Sequence, residues 1–440
     1  MQKVALLTLI LAAPALAQTP ASSSNRFMGD PVKVRPNMLL IIADDLGVDL
    51  LGTYAEGTSP ACTPNLDQLA AGGMLFRNAW ANPSCSPTRA TLMTGRYGFR
   101  TGIGEPIANN MAGLDLAETT LPEALPGYTS SLLGKWHLAG NLGNSHPNDS
   151  GFAHFAGTIR GSVPNYFQWN KVTNGQMANT NVYATTDTTD DAIAEILTLP
   201  EPWLCVVSYH APHSPWHEPP VALCPAPSCP TSFCGNLPQN PSNAQMGKAM
   251  VEAMDTEIGR LLGALATRDS SAMVMFMGDN GSPGALSEAP FLGSHAKGSM
   301  FEGGVNVPLI VSGNGVAQGE SDALVSATDI FATAVELAGG SSTAEDSISF
   351  VPTLRNPQIS RRGSIYAERF VSSPNGLPYA NHERAVRGEQ YKLIRIDGEA
   401  DQLYDLWNDP FETANLLPTT NPQIQAAFDA LAAELQALGV

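Results

Sequence analysis

Apolar residues in this chain gather in short unbroken runs that stop at polar or glycine-rich corners. Asn37-Met38-Leu39-Leu40-Ile41-Ile42-Ala43 stops at Asp44-Asp45-Leu46-Gly47. Trp203-Leu204-Cys205-Val206-Val207-Ser208 is a second run, and residues 272–277 form a third that stops at Gly278-Asp279-Asn280-Gly281. Runs of this length without alternation predict strands buried on both faces. Residues 130–133 predict a shorter strand leading into Gly134-Lys135-Trp136-His137, and residues 307–311 another. Helical stretches lie between them. Residues 64–70 have proline at the start and Gly72-Gly73 past the end, the expected asymmetry of a helix. Residues 245–266 place Met250, Met254, Ile258, Leu261 and Leu262 on one side, an amphipathic pattern. Residues 120–125, 187–197 and 329–337 predict further helices.

Buried strands alternating with helices specify an α/β protein, a three-layer sandwich around a large, mostly parallel but mixed sheet. The texture changes near residue 346. Residues 365–367, 384–387 and 391–395 predict short antiparallel strands, and residues 423–438 an Ala/Leu-rich terminal helix. The expected organisation is a catalytic domain over 37–345 and a small α+β subdomain over 346–440.

The amino terminus changes the picture. Met1-Gln2-Lys3, an apolar stretch over residues 4–13 and Ala15-Leu16-Ala17 predict a signal peptide over 1–17, followed by a polar linker over 18–36. The apolar stretch is short of the roughly 20 residues of a membrane span. The expected location is therefore periplasmic or secreted. A net charge of −18 argues against nucleic-acid or anionic-membrane partners, which select a basic face. Of six cysteines, Cys224, Cys229 and Cys234 crowd a proline-rich insertion over 219–241. They predict a local disulfide, with a zinc knuckle as the sharper alternative. Cys62 and Cys205 are expected to be buried or paired.

Three strand ends carry polar groups: Asp44-Asp45, Lys135 with His137, and Asp279-Asn280. Ligands of open α/β sheets sit at the carboxyl ends of strands. Four oxygen donors from two such ends suit one hard divalent cation, Ca2+ ahead of Mg2+ and both ahead of zinc.

A fourth segment carries different chemistry. Cys85-Ser86-Pro87-Thr88-Arg89-Ala90-Thr91-Leu92-Met93-Thr94 is closed by Gly95-Arg96. Ser86 suits an N-cap, Pro87 the first helical position and Gly95 the stop. Cys85 would then precede a helix N-terminus, whose partial positive charge favours an anionic nucleophile and substrate. Arg89 follows about one turn later.

This segment resembles the signature of the type I sulfatases, Cys-x-Pro-x-Arg followed by a short helix and Thr-Gly-Arg. The resemblance extends to Gly134-Lys135-Trp136-His137-Leu138, to His210-Ala211-Pro212-His213-Ser214-Pro215 and to Lys297 with Glu302-Gly303-Gly304. Near the carboxyl end it includes Leu403-Tyr404-Asp405-Leu406 and Asp409-Pro410-Phe411-Glu412, expected to mark the fold rather than a site. The match runs from about residue 37 to about 420. It departs in the Cys-rich insertion and between residues 337 and 361, both expected to shape the substrate.

The resemblance implies an alkaline phosphatase-like fold and a sulfuric ester hydrolase of arylsulfatase type. It implies that a formylglycine-generating enzyme converts Cys85 to formylglycine, whose hydrate is the nucleophile on a small-molecule or carbohydrate sulfate ester. One hydrate oxygen would join Asp44, Asp45, Asp279 and Asn280 on the cation. Arg89 would help ionise it, and Lys135 and Lys297 would balance charge on the sulfuryl oxygens. His213, with Lys297, would protonate the leaving alcohol, and His137 would release sulfate. His210 is expected to support the pocket wall, His295 is a possible substrate contact, and Trp136 and Trp216 either line a ring pocket or fill the core. Asn148-Asp149, His154 and His382 are expected to be structural. Two rivals stand beside this reading: a formylglycine-dependent phosphonate monoester or phosphodiester hydrolase, and a sulfated-glycan binding module with unmodified Cys85.

Overall fold

The run at residues 37–43 is strand β1 (Met38–Asp44), buried along its whole length. The computed structural model describes residues 35–439 except 226–228, 230, 292 and 373–377. The expected signal peptide over 1–17, and most of the linker after it, lie outside the described residues.

After β1 come α1 (Pro64–Ala71), β2 (Met74–Trp80), α2 (Cys85–Thr94), α3 (Gly98–Thr101), β3 (Thr129–Lys135), α4 (His146–Asp149) and β4 (His154–Thr158). Then follow β5 (Trp169–Thr173), β6 (Gln176–Thr180), α5 (Ala184–Thr198), β7 (Trp203–Pro212), α6 (Asn243–Arg268) and β8 (Met273–Gly278). The chain continues with α7 (Glu302–Val305), β9 (Leu309–Ser312), β10 (Gly319–Ser326), α8 (Asp329–Leu337) and α9 (Val351–Arg355). It ends with β11 (Ile365–Val371), β12 (Ala380–Arg387), β13 (Tyr391–Ile396), β14 (Gln402–Asp405) and α10 (Pro422–Leu438).

Ten strands form one sheet in the order β10-β2-β9-β8-β1-β7-β3-β4-β5-β6. The five central strands, β8 to β4, are parallel to one another. The margins are mixed: β9 runs antiparallel to β8 and β2, β10 pairs parallel with β2, and β5 and β6 form an antiparallel extension beyond β4. Side chains of β1 alternate between two cores. Leu40 and Ile42 pack with Leu132, Val206 and Met275, and with Leu92 and Phe331 of the covering helices. Leu39 and Ile41 pack with Leu133, Val207 and Phe276, and with Met254 and Ile258 of α6. Both faces are covered, which is why these strands read as unbroken apolar runs.

The helix expected over 120–125 is a single turn, with Ala124 N donating to Thr120 O at 2.9 Å. Pro126, which disfavours helical backbone at the residue before it, stops it there.

The Cys-rich insertion is tied down by covalent bonds, not by a metal. Cys224 pairs with Cys234, and Cys62 with Cys229. The zinc-knuckle alternative falls because its thiols are consumed. Glu252 of α6 anchors the same region, accepting from Cys62 N, Phe233 N, Cys234 N and Ser232 Oγ at 2.7–3.1 Å. Cys205 is buried with a free thiol.

Strands β11 to β14 make a second, antiparallel sheet, covered by Leu431 and Leu435 of α10. A buried charge cluster joins it to the main sheet. Glu302 of α7 meets Lys392 and Arg387 at 3.0 Å each, and Lys392 also meets Glu412 at 2.7 Å. The Lys392 ammonium lies 4.7 Å from the ring centre of Trp80, at the end of β2. Glu302 and Glu412 come from two of the motifs quoted above, and both pair with Lys392 of β13 beside Trp80 of β2. Removing one member leaves the others charged and dry, a change that costs about 3–5 kcal/mol. Lys392→Met is expected to lower unfolding free energy by that amount in urea titrations, against less than about 1 kcal/mol for an exposed lysine.

Candidate active site

Parallel packing brings the carboxyl ends of β1, β3, β7 and β8 to one edge of the sheet. At that edge the pairing of β1 with β7 slips between Ala43 and Asp44. Asp45 adopts a left-handed φ of 71°, which is uncommon for a residue with a side chain. Its amide donates to Asp279 Oδ1 at 3.1 Å.

Helix α2 reaches the same edge, with Cys85 beside His137 and Arg89 beside Asp279. It begins earlier than its sequence suggests. Ser84 precedes the first helical residue, Cys85, so Pro87 falls at the third position, where the missing N–H had no partner in the helix anyway. Ser86 does not cap. Its hydroxyl donates to His137 O and accepts from Ile107 N, both at 3.0 Å, which ties the helix start to the loop around His137. Gly95 ends the helix with φ 67°; a side chain there would also strike Phe331.

Arg89 lies one turn beyond Cys85, wholly buried. Its Nε and Nη2 donate to Asp279 Oδ2 at 3.1 and 2.8 Å. Its Nη1 donates to Lys135 O at 2.8 Å and Ser208 Oγ at 2.6 Å. Lys135 Nζ donates to Asp44 Oδ2 at 2.5 Å with neither side chain exposed. Lys297 pairs with Asp45, whose Oδ1 also accepts from Asn280 Nδ2 at 2.9 Å. His213 Nε2 stands 4.0 Å from Asp45 Oδ2, and its Nδ1 donates to Ser214 O at 2.7 Å. Burial works against the Lys297 ammonium, but Asp45, Cys85 and Asp44 together push its pKa up.

His137 also has a left-handed φ, 59°. Its Nε2 is 3.1 Å from Ile107 O. A carbonyl only accepts, so that nitrogen carries the proton. Nδ1 is then a lone pair, 3.2 Å from Cys85 Sγ. Burial, reinforced by Lys135 and Arg89, pulls His137 well below the ordinary imidazole range, so the ring is neutral. Burial pushes the Cys85 thiol up, which disfavours the thiolate of an ordinary cysteine nucleophile.

Every residue expected at the site is therefore within this one cluster. Asp44 Oδ1 and Asn280 Oδ1 are buried oxygens that meet no donor. Single ligand atoms of Asp44, Cys85 and Asp279 lie within 4.8 Å of one another, as do those of Asp44, Asp45 and His213. Two unpartnered oxygens beside two further carboxylates fit a hard divalent cation. The surroundings of the other residues differ. His210 is buried, with Nε2 2.6 Å from Thr158 Oγ1, and burial pulls it down to about 3. Trp136 is core, hydrogen-bonded to His146, and Trp216 is held to Pro212 O. His295 stacks on Phe301 with ring centres 3.6 Å apart. His382 pairs with Glu368 in the second sheet.

Three contacts to residues of this cluster escaped sequence reasoning. Ser208 receives Arg89, and Ser86 holds His137. Tyr166 Oη lies 2.9 Å from His210 O and 2.7 Å from His213 O. Ser208 ends a quoted strand run and so carried a signal; Tyr166 sits in an irregular loop and carried none.

The family model for sulfatases matches residues 36–341. The chain belongs to the sulfatase family. The model for the carboxyl-terminal region of N-sulphoglucosamine sulphohydrolase matches residues 292–439. The sulfatase is 32% identical to rat N-acetylgalactosamine-6-sulfatase, over 75% of this chain and 68% of that one. It is 30% identical to bovine arylsulfatase A, over 90% and 86%. The solved structure of Ps i-CgsB in complex with k-i-k-neocarrahexaose superposes with a TM-score of 0.77 at 25% identity, covering 92% of each chain. The enzyme is thus a sulfuric ester hydrolase with the expected fold.

The fork of Arg89 makes four contacts that an ammonium cannot reproduce. Arg89→Lys is expected to lower kcat for sulfate ester hydrolysis by about 10²- to 10³-fold, with an unchanged circular dichroism spectrum.

Proposed function

We propose that the protein is an exported sulfatase that cleaves a sulfate monoester of a carbohydrate through an aldehyde made from Cys85. The observation that carries this reading is the placement of Cys85 Sγ beside His137 Nδ1, among Arg89, Lys135, Lys297 and three carboxylates. An unmodified thiol there is buried and poorly ionised. An aldehyde hydrate at residue 85 has two hydroxyls with distinct tasks.

A divalent cation, Ca2+ or Mg2+, held by Asp44, Asp45, Asp279 and Asn280 would polarise the ester and help ionise an oxygen of residue 85. Arg89 orients the ligand set through Asp279 and adds positive charge near residue 85. One hydroxyl of residue 85 attacks sulfur, the S–O bond to the alcohol breaks, and His213 delivers the proton to the departing oxygen. Lys135 and Lys297 face the charge on the sulfuryl oxygens. His137 Nδ1 then takes the proton of the second hydroxyl. The aldehyde re-forms, and sulfate leaves with the oxygen that attacked it.

Two arguments support a sugar as the alcohol. One relative is named N-acetylgalactosamine-6-sulfatase, and Ps i-CgsB is in complex with k-i-k-neocarrahexaose. The expected signal peptide and the two disulfides support export; no described helix is long and apolar enough to cross a membrane.

Mass spectrometry of the Cys85 peptide from protein made with a formylglycine-generating enzyme is expected to show a mass about 18 Da below the thiol form, from loss of hydrogen sulfide and gain of oxygen. An unshifted peptide from active protein contradicts the mechanism. Cys85→Ala is expected to abolish sulfate release while melting as the parent does. Added Ca2+ is expected to raise the melting temperature of chelator-treated protein, and Asp44→Asn to lose most of that rise. An equal rise in the variant contradicts the ligand assignment.

A further inference from the structure

A cleft of about 400 Å³ opens beside His137. Its walls come from separate stretches of chain: Asn109 before β3, Asn141 and Asn144 after it, Arg160 and Ser162 after β4, and Asn170 on β5. The polar lining is amides and hydroxyls, which pair with sugar hydroxyls in either direction. No aspartate or glutamate lines it, although the chain has 41 acidic residues against 23 basic ones. Arg160 is its one guanidinium, and no carboxylate among the described residues pairs with it.

The position of Arg160 is fixed relative to the reacting group. Trp136 N donates to Thr158 O at 2.9 Å, and His137 N donates to Ile159 O at 3.2 Å. Thr158 Oγ1 closes the turn onto Arg160 O at 3.2 Å. The next residue is glycine because the turn lies against the imidazole: a Cβ on Gly161 would stand 2.3 Å from the His137 ring. Arg160 is therefore held one residue from a contact with the base, on a cleft that His137 itself lines.

We propose that this cleft binds the sugar of a carbohydrate sulfate and that Arg160 pairs with a second anionic substituent of that sugar, a carboxylate or a further sulfate. This assignment rests on the sulfatase reading. A guanidinium meets either group through two parallel N–H bonds. The surrounding amides supply orientation without competing for the charge. A neutral sugar loses this contact and leaves Arg160 in water at little cost, so the second anion raises affinity and is not obligatory. Because Arg160 is exposed, salt weakens the preference.

The test uses matured enzyme hydrolysing para-nitrophenyl sulfate, with sugars as competitive inhibitors. The probes are N-acetylgalactosamine 6-sulfate, its 4,6-disulfate, and the 6-sulfate linked to a hexuronic acid. In the parent, at least one doubly anionic probe is expected to inhibit about tenfold more tightly than the monosulfate. In Arg160→Gln that ratio is expected to fall towards one, and in Arg160→Lys to an intermediate value. The probe whose advantage is lost identifies the partner as carboxylate or sulfate. A parent ratio near one for both probes, or a ratio unchanged in Arg160→Gln, overturns the assignment and leaves the sulfatase reading standing. Absence of sulfate release from the reporter and from all three sugar sulfates, by protein whose residue 85 carries the aldehyde, overturns that reading, and this inference with it.

Discussion

Charge neutrality at one dry edge of the sheet is the constraint on which the rest depends. Asp44, Asp45 and Asp279 face Arg89, Lys135 and Lys297, with all but Lys297 essentially excluded from water. Isolated, any of these ions would carry a desolvation cost of several kcal/mol. Together they balance, and each fixes the position of another. A divalent cation added to this set would turn a neutral cluster into one with two positive charges. That local field would draw a sulfate ester into a protein whose overall charge repels anions.

The fold supplies this edge by parallel pairing. Strands β8, β1, β7 and β3 all run the same way, so their carboxyl ends arrive together, while α2 delivers Cys85 and Arg89 to the same place. The outer parts of the chain serve that arrangement. Glu302 and Glu412 lock the second sheet against β2, and Glu252 with two disulfides holds the Cys-rich insertion. Two of the residues that reach the edge beyond strand ends, Asp45 and His137, do so with a left-handed φ. Such strain persists where the surroundings over-determine it, and it collects at functional sites.

Much of this was legible in the sequence because burial on both faces writes itself as uninterrupted apolar runs. The strands from β1, β3, β7 and β8 carried that mark, and each ended in the polar residues that build the site. The marginal strands did not. Gln176–Thr180 is almost wholly exposed and polar, and Gly319–Ser326 begins with Gly-Glu-Ser-Asp; neither has a periodicity that distinguishes strand from loop. The antiparallel direction of β9 depends on which strands it meets, not on its own residues. The start of α2 shifted because Ser86 finds better partners in the His137 loop than at the helix end. Tyr166 and Arg160 gain their importance from where the chain carries them, and no local pattern announces that.

The most direct test is a crystal structure of protein matured by its modifying enzyme and grown with calcium. One ion is expected within about 2.3–2.6 Å of oxygens from Asp44, Asp45, Asp279 and Asn280, with residue 85 bearing oxygen in place of sulfur and facing that ion. An intact thiol at residue 85 in active crystals, or an ion bound away from these four side chains, would contradict this mechanism.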